Sequence, residues 1–178
     1  RTATTLHTLD DIRRARPLLH GAAVVVVQLE LDTHVVEAAL TGTSGTRIGT
    51  LAPLRPLPPS ILGLLDIIVV NASEARQVLG EVADAPVDGR RLAQSLVRLG
   101  PRAAVVTLGA SGAAYADKVS VGIVPAQAVD VDETTGAGDA FLGTLALLQA
   151  RGASLADAVT AATEAGTIVV AGAGQRRP

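Results

Sequence analysis

The segment Ile67–Asn71 has the sequence Ile-Ile-Val-Val-Asn, a continuous run of β-branched apolar residues that ends in a polar one. Similar apolar runs lie on either side of it along the chain, at Ala22–Val27 and at Ala103–Val106. Runs of this length and continuity are typical of strands that are buried on both faces of a parallel sheet. A buried helix segment has a similar pattern but is usually longer. We therefore predict three parallel strands.

Helical patterns alternate with these strands. Four segments show such a pattern: a short one that opens at Thr8-x-x-Asp11 and that Pro17 must end or bend, Val87–Leu99, Ala137–Ala150, and a last one that opens at Ser154-x-x-Asp157. Two weaker alternating pieces, near Ala113–Ala116 and Val119–Val124, predict a hairpin at one edge of the sheet. The alternation of strands and helices predicts an α/β fold with a mostly parallel sheet.

The composition is that of one globular α/β domain, which we assign to residues 1–178. Of the 178 residues, 48% are hydrophobic and 18% are charged, which is too apolar for a disordered chain. The chain has 15 basic and 17 acidic residues, so its net charge of −2 gives no reason to expect nucleic acid or an anionic membrane as a partner. The longest apolar run, Ala22–Val27, is too short to cross a bilayer. We expect a cytoplasmic protein.

Several residue types are absent or badly placed for metal binding. The sequence contains no cysteine, which excludes disulfides and thiolate metal sites within it. The histidines His7, His20 and His34 lack the spacing of metal ligands, and we interpret them as solvent-facing or loop residues. The sequence also contains no methionine, from which we expect that it is part of a longer product.

Polar residues follow each of the three predicted strands. Gln28-Leu29-Glu30 follows the first strand, Asn71-Ala72-Ser73-Glu74 follows the second, and the glycine-containing segment Thr107–Gly112 follows the third. In open α/β sheets, ligands bind at the carboxyl ends of the strands, so these segments are candidates for one binding crevice. The alternative is ordinary loop chemistry, since Asn, Ser and Gly are common turn residues.

The strongest local signal is Thr134-Thr135-Gly136-Ala137-Gly138-Asp139, which leads directly into an apolar helix. The two glycines let the backbone approach an anion closely, and the free N–H groups at a helix start favour negative charge. Asp139 is then interpreted as a general base beside a hydroxyl that attacks phosphorus; the alternative is that it only stabilises the helix N-terminus. The segment is not a Walker motif, and the absence of a Gly-x-Gly-x-x-Gly fingerprint after the first strand makes a Rossmann dehydrogenase a weak alternative.

Together these segments resemble the ribokinase-like (PfkB) family of sugar and nucleoside kinases. Four segments carry the resemblance, in the family's order: Gln28–Glu30, Asp66–Gly80 with its Asn71-x-x-Glu74, Val105–Gly109, and Asp132–Phe141. It extends from about Leu9 to Gln175. The implied fold is a Rossmann-type three-layer α/β structure with a mostly parallel sheet. The implied activity is the transfer of the ATP γ-phosphoryl group to a hydroxyl of a sugar or similar small molecule.

The resemblance also implies roles for individual residues. Asp139 would deprotonate the acceptor hydroxyl, and the backbone N–H groups of Gly136, Ala137 and Gly138 would form an anion hole. The remaining implied contacts are Asn71 and Glu74 at the Mg²⁺-phosphate end through waters, Thr107 and Gly109 in the nucleotide groove, Thr163 near the adenine, Gly174 where the chain passes the base, and Glu30 at the sugar.

The sequence departs from the family pattern in three places. Glu133 stands where the family has an Asp next to the loop that binds an activating monovalent cation such as K⁺, which leaves activation by K⁺ open. The stretch Ala38–Thr50 is a few residues short, with Gly42–Thr46 in place of a helix end, and Thr50–Pro53 replaces the more usual Asn-Pro-Ala-Pro. The family's N-terminal portion, with central strands, a β lid and a Gly-Gly substrate loop, is missing. We therefore expect an exposed edge or a missing centre in the sheet.

Two functions from different classes follow. The first is an ATP- and Mg²⁺-dependent carbohydrate kinase, whose full-length form can pair as a homodimer through the lid. The second is a non-catalytic or degenerate kinase module that binds nucleotide without the lid.

Overall fold

The computed structural model describes residues 7–50, 57–81, 86–128 and 135–174. Within these ranges the chain forms a sheet of six strands with helices on both of its faces. None of the helices in the described part of the chain combines the length and the apolar character that a bilayer span requires.

The six strands follow each other in the sheet in chain order. They are β1 (Val24–Gln28), β2 (Thr46–Thr50), β3 (Ile67–Asn71), β4 (Ala103–Thr107), β5 (Ala113–Asp117) and β6 (Val121–Val124). Strands β1 to β4 are parallel, and β5 and β6 form an antiparallel hairpin at one edge. The three predicted strands and the predicted hairpin are confirmed. Strand β2 was not predicted, because its sequence Thr-Arg-Ile-Gly-Thr has only one large apolar residue.

Seven helices occur in the described ranges. They are α1 (Leu9–Gly21), α2 (Thr33–Thr41), α3 (Pro59–Leu64), α4 (Ala72–Leu79), α5 (Gly89–Arg98), α6 (Ala137–Ala150) and α7 (Leu155–Gly174). Helices α1 to α5 contribute to the core on one face of the sheet, and α6 and α7 cover the other face. The result is the three-layer α/β architecture that the sequence predicts.

The central strands are buried on both faces. In β3 and β4, Ile68 and Val106 pack toward α4 and α5, whereas Val69 and Val105 pack toward α6 and α7. This alternation of two buried faces explains why the two strands have continuous apolar sequences.

Strand β1 differs from the prediction that its valine run is buried on both faces. It is the first strand of the sheet, and within the described ranges it pairs only with β2. Val27 is buried, but Val26 on the opposite face is 40% exposed. Strand β1 thus lies at an edge of the sheet formed by the described residues, and the valines alone do not distinguish an edge strand from a central one.

Of the two outcomes predicted for Pro17, an end or a bend of the first helix, the structure excludes the end. Helix α1 opens with a capping box between Thr8 and Asp11, as predicted, and continues through Pro17 to Gly21. A proline inside a helix removes one backbone hydrogen bond. Helix α1 has no buried residue, and the loss of one bond costs least where the backbone can bond to water.

Candidate active site

The carboxyl end of β4 leads into a tight turn that depends on two glycines. Gly109, with φ of +59°, starts a short 3₁₀ turn, and Gly112 closes the turn with φ of +94°. The N–H of Leu108 donates to the Gly112 carbonyl at 2.8 Å. A β-carbon on Gly112 would lie 2.0 Å from the Val124 carbonyl oxygen, so no other residue fits there without movement of the backbone. The turn therefore fixes Thr107 and Gly109 at the carboxyl edge of the sheet.

The Asn71-x-x-Glu74 motif forms a reciprocal capping box at the start of α4. The Glu74 N–H donates to Asn71 Oδ1 at 2.9 Å, and the Asn71 N–H donates to Glu74 Oε2 at 3.0 Å. The sequence analysis assigned both residues to the phosphate end of the site and did not identify this structural role. One carboxylate oxygen of Glu74 and the amide nitrogen of Asn71 have no part in the box.

Three of the predicted site residues line one cavity. The cavity has a volume of about 750 Å³, and Asn71, Thr107 and Gly109 contribute to its wall at the ends of β3 and β4. This volume is in the range of small-molecule sites. The structure thus brings together residues that are 38 positions apart in the sequence.

Two further residues of the cavity wall, Ser73 and Ser111, lie in the candidate segments that follow β3 and β4. The sequence analysis missed Asp88, Gly89 and Arg90, which contribute to the wall at the start of α5. The local signal for the last group was the cap of α5, where Asp88 accepts a hydrogen bond from the Arg91 N–H at 3.1 Å. That signal marks a helix start, but it does not show that the start faces the Thr107 turn.

The first turn of α6 presents free backbone donors and an exposed carboxylate. Gly136 precedes the helix with φ of +85°, and the first N–H bonded back to it is that of Ala140. The N–H groups of Ala137, Gly138 and Asp139 therefore lack partners within the helix. The Asp139 side chain is exposed, and among the described residues none forms a hydrogen bond or an ion pair with it. The backbone N–H groups of this turn can bind an anion, and the Asp139 carboxylate can accept a proton.

Helix α7 holds this turn in place by close packing. A β-carbon on Gly166 would lie 3.3 Å from the Ala137 carbonyl oxygen, and one on Gly136 would lie 3.7 Å from Val169 Cγ1. Phe141, one turn further along α6, is buried in the core between α6, α7 and the sheet. The packing fixes the direction of the α6 N-terminus relative to the sheet.

The other predicted residues have varied surroundings. Glu30 is exposed in the turn after β1, and Gly174 is the last residue of α7. Thr163 is only 7% exposed, and its hydroxyl donates to the Val159 carbonyl at 2.8 Å. This geometry favours a helix-face residue in the core, and an adenine contact for Thr163 stays a prediction. Asp132, Glu133, Thr134 and Gln175 lie outside the described residues.

The described residues contain no preformed cluster of three His, Asp or Glu side chains that would hold a metal ion. Glu74 is not among the residues that line the cavity, but one of its carboxylate oxygens takes no part in the capping box. Mg²⁺ in phosphate-transfer sites is usually held by one or two carboxylates together with substrate phosphates and waters. The single oxygen of Glu74 fits that type of binding.

Comparison with known proteins gives the family. Residues 10–178 match the family model described as pfkB family carbohydrate kinase. The ribokinase of Mus musculus is 35% identical over 144 residues, which are 77% of this chain and 44% of that protein. The ribokinase of Thermotoga maritima superimposes with a TM-score of 0.82 at 24% identity, over 95% of this chain and 56% of that one. For the Arabidopsis thaliana ribokinase complexed with ribose and ATP, the TM-score is 0.76 at 23% identity, over 90% of this chain and 52% of that one.

The chain therefore spans about half the length of the relatives that it matches. The resemblance drawn from the four sequence segments is confirmed over nearly all of the chain, and the neighbouring structures have the same fold. Because the family model covers residues 10–178, the chain belongs to the pfkB family of carbohydrate kinases.

Proposed function

We propose that this chain is the nucleotide-binding and catalytic part of an ATP-dependent kinase that phosphorylates a hydroxyl of a sugar or sugar-like molecule. The observation that carries the proposal is the cavity at the carboxyl edge of the sheet, whose wall combines Asn71, Thr107 and Gly109. Ligands of open α/β sheets bind at the carboxyl ends of the strands, so this cavity is suited to the nucleotide. The related mouse protein is a ribokinase, and the solved Arabidopsis ribokinase holds ribose and ATP, which supports the same classes of ligand here.

In the proposed reaction, the Asp139 carboxylate takes the proton of the acceptor hydroxyl. The hydroxyl oxygen forms a bond to the γ-phosphorus of ATP while the bond from that phosphorus to the β–γ bridging oxygen breaks, and ADP leaves. Asp139 is exposed and has no hydrogen-bond or ion-pair partner among the described residues, which suits a base that must reach a substrate. Since little covalent chemistry is required of the protein, positioning and charge stabilisation do most of the catalytic work.

The backbone at the start of α6 would stabilise the charge on the transferring phosphoryl group. The N–H groups of Gly136, Ala137 and Gly138 were assigned to the anion hole, and the helix boundary leaves those of Ala137 and Gly138 without intrahelical partners. Donors that are already oriented lower the barrier because they need no rearrangement during the reaction. Close packing of Gly136 and Gly166 between α6 and α7 supports this orientation.

The nucleotide would lie along the ends of β3 and β4. Thr107 and Gly109 would contact the phosphates and ribose, and Thr163 and Gly174 are the proposed neighbours of the adenine. Asn71 and the free oxygen of Glu74 would hold Mg²⁺ through waters. When bound, Mg²⁺ neutralises charge on the β- and γ-phosphates.

The acceptor side of the proposal rests on Glu30, which would contact the sugar hydroxyls from the turn after β1. We further propose that the protein acts in the cytoplasm, where ATP is available, and that the complete protein forms a homodimer. Activation by K⁺ stays open, because Glu133 lies outside the described residues.

The test of the proposal is phosphate transfer from γ-labelled ATP to a panel of sugars by the protein as it is naturally expressed. We expect labelled sugar phosphate and stoichiometric ADP for at least one pentose or hexose. ATP binding, measured by calorimetry on the same samples, distinguishes the kinase from a non-catalytic module that only binds nucleotide. Binding without transfer to any sugar contradicts the kinase and leaves the non-catalytic nucleotide-binding module.

A further inference from the structure

The cavity wall contains one cationic side chain that the assignments above do not use. Arg90, the second residue of α5, lines the cavity opposite the residues of β3 and β4. No other lysine, arginine or histidine contributes to this wall among the described residues. Arg90 is therefore the cationic side chain on the α5 side of the cavity within the described residues, and Asp88 contributes a carboxylate to the same wall.

The two charged neighbours of Arg90 have other partners. Asp88 also lines the cavity, and one of its carboxylate oxygens accepts the Arg91 N–H at the start of α5. The Arg91 guanidinium forms two hydrogen bonds to Glu81, at 2.6 and 2.7 Å, which join α5 to the end of α4. Within the part of the chain that the structure describes, Arg90 is exposed and makes neither an ion pair nor a side-chain hydrogen bond.

The start of α5 is fixed against the Thr107 turn by Gly89. A β-carbon on Gly89 would lie 2.8 Å from Leu108 Cδ1 and 2.9 Å from Ala114 Cβ. Gly89 is buried, and only the absence of a side chain lets the helix backbone come this close to Leu108. Arg90 follows directly, so its guanidinium projects from a point that the packing holds next to Thr107 and Gly109.

We propose that Arg90 is a nucleotide-binding residue whose guanidinium contacts the phosphate chain of the nucleotide. This inference rests on the proposed function, which places that nucleotide along Asn71 and Thr107. The side chains of Asn71 and Thr107 are neutral hydrogen-bonding groups, whereas a guanidinium matches phosphate oxygens in both charge and geometry. The starts of α4 and α5, which flank the cavity, add a weaker field of the same sign.

Calorimetric titration of the purified protein and two variants tests the inference. The ligands are ATP, ADP, adenosine and inorganic phosphate, and the variants are Arg90→Gln and Arg98→Gln. Arg98 is an exposed arginine on the same helix that does not line the cavity, so it controls for the loss of one positive charge. We expect Arg90→Gln to bind ATP and ADP about tenfold more weakly, since hydrogen bonds to charged groups have about this effect. Adenosine binding should be unchanged, and Arg98→Gln should behave as the wild type.

The outcomes distinguish this inference from the proposed function. If the wild-type protein binds ATP and Arg90→Gln binds it equally well, the role of Arg90 is wrong and the proposed function stands. Equal weakening of ATP and adenosine in Arg90→Gln would indicate a structural defect and would also contradict the inference. If only inorganic phosphate binding responds to Arg90→Gln, the cavity holds a free phosphate and not a nucleotide. A wild-type protein that binds no nucleotide overturns both proposals.

Discussion

At the scale of single residues, Asn71 has two roles that one substitution can separate. Its side-chain oxygen caps α4, its amide nitrogen is outside the capping box, and the residue also lines the cavity. Asp caps helices as well as Asn does, whereas Ala does not. Asn71→Asp should therefore leave the free energy of unfolding within about 0.5 kcal/mol of the wild type, and Asn71→Ala should lower it by about 1 kcal/mol.

For ATP affinity we expect Asn71→Asp to be the more damaging of the two variants. It places a negative charge beside the phosphates, so it should bind ATP about tenfold more weakly than the wild type, whereas Asn71→Ala should lose less affinity. Urea denaturation and ATP titration of both variants check the two effects together. Equal ATP affinity in the wild type and in Asn71→Asp would show that Asn71 is only a cap.

Gly112 is the residue whose replacement should disturb the turn most. Its φ of +94° disfavours any side chain, and a β-carbon would clash with the Val124 carbonyl oxygen at 2.0 Å. We expect Gly112→Ala to reduce the free energy of unfolding by about 3 kcal/mol or more. Gly80→Ala is the matched control, because Gly80 also has positive φ, of +68°, but faces open space. Its loss should stay near 1 to 2 kcal/mol; similar losses in both variants would refute the steric explanation.

At the scale of elements, Asp66 joins the amino ends of three neighbouring strands. Its carboxylate accepts hydrogen bonds from the Arg47 backbone N–H at 2.9 Å and from the Arg47 guanidinium at 2.9 and 3.1 Å, and it pairs with Arg102 at 3.4 Å. Burial by itself raises the pKa of Asp66, but the hydrogen bonds and charges of Arg47 and Arg102 outweigh it and hold the pKa below its ordinary value.

The stability that Asp66 contributes therefore depends on pH in a defined direction. A carboxyl group whose pKa is lower in the folded state stabilises the fold fully above its unfolded pKa, near 4, and the contribution is lost as the pH falls through the folded value. We expect Asp66→Asn to lower the unfolding free energy at pH 7 by about 2 kcal/mol and to lose less stability than the wild type between pH 5 and pH 2.5. Thermal melts across this range measure both. Parallel pH profiles for the two proteins would contradict the assignment, since the remaining carboxylates, such as Asp11 and Glu81, are the same in each.

The elements that could be predicted from sequence are those whose surroundings are uniform along the element. β3 and β4 are buried on both faces and have continuous apolar sequences, and α6 and α7 start at local capping or glycine signals. Strand β2 was not predicted because its sequence lacks a continuous apolar run. Arg47 and the two threonines are only partly buried, and Gly49 leaves room for Leu65. Pro17 did not end α1, because a proline within a helix removes only one backbone hydrogen bond and α1 has no buried residue.

At the scale of the whole molecule, the topology explains which part of the site was predictable. Asn71 and Thr107 end two strands that are neighbours in the sheet, so their proximity follows from the fold class. Arg90 reaches the same cavity only because Gly89 lets α5 approach Leu108, and no pattern in the sequence around residue 90 indicates that contact. Long-range packing of a helix start on a turn is a property of the folded chain.

The central claim is that Asp139 acts as the base in phosphoryl transfer from ATP. The most direct measurement compares transfer by the wild type, Asp139→Asn and Asp10→Asn, with ATP affinity measured on the same samples. Asp10 is a matched control, since it is an exposed acidic residue on α1, far along the chain from the site. We predict that Asp139→Asn retains ATP binding and loses at least about 100-fold in the transfer rate, because the proton acceptor is removed, while Asp10→Asn keeps the wild-type rate. Transfer by Asp139→Asn at a rate close to that of the wild type would contradict the account.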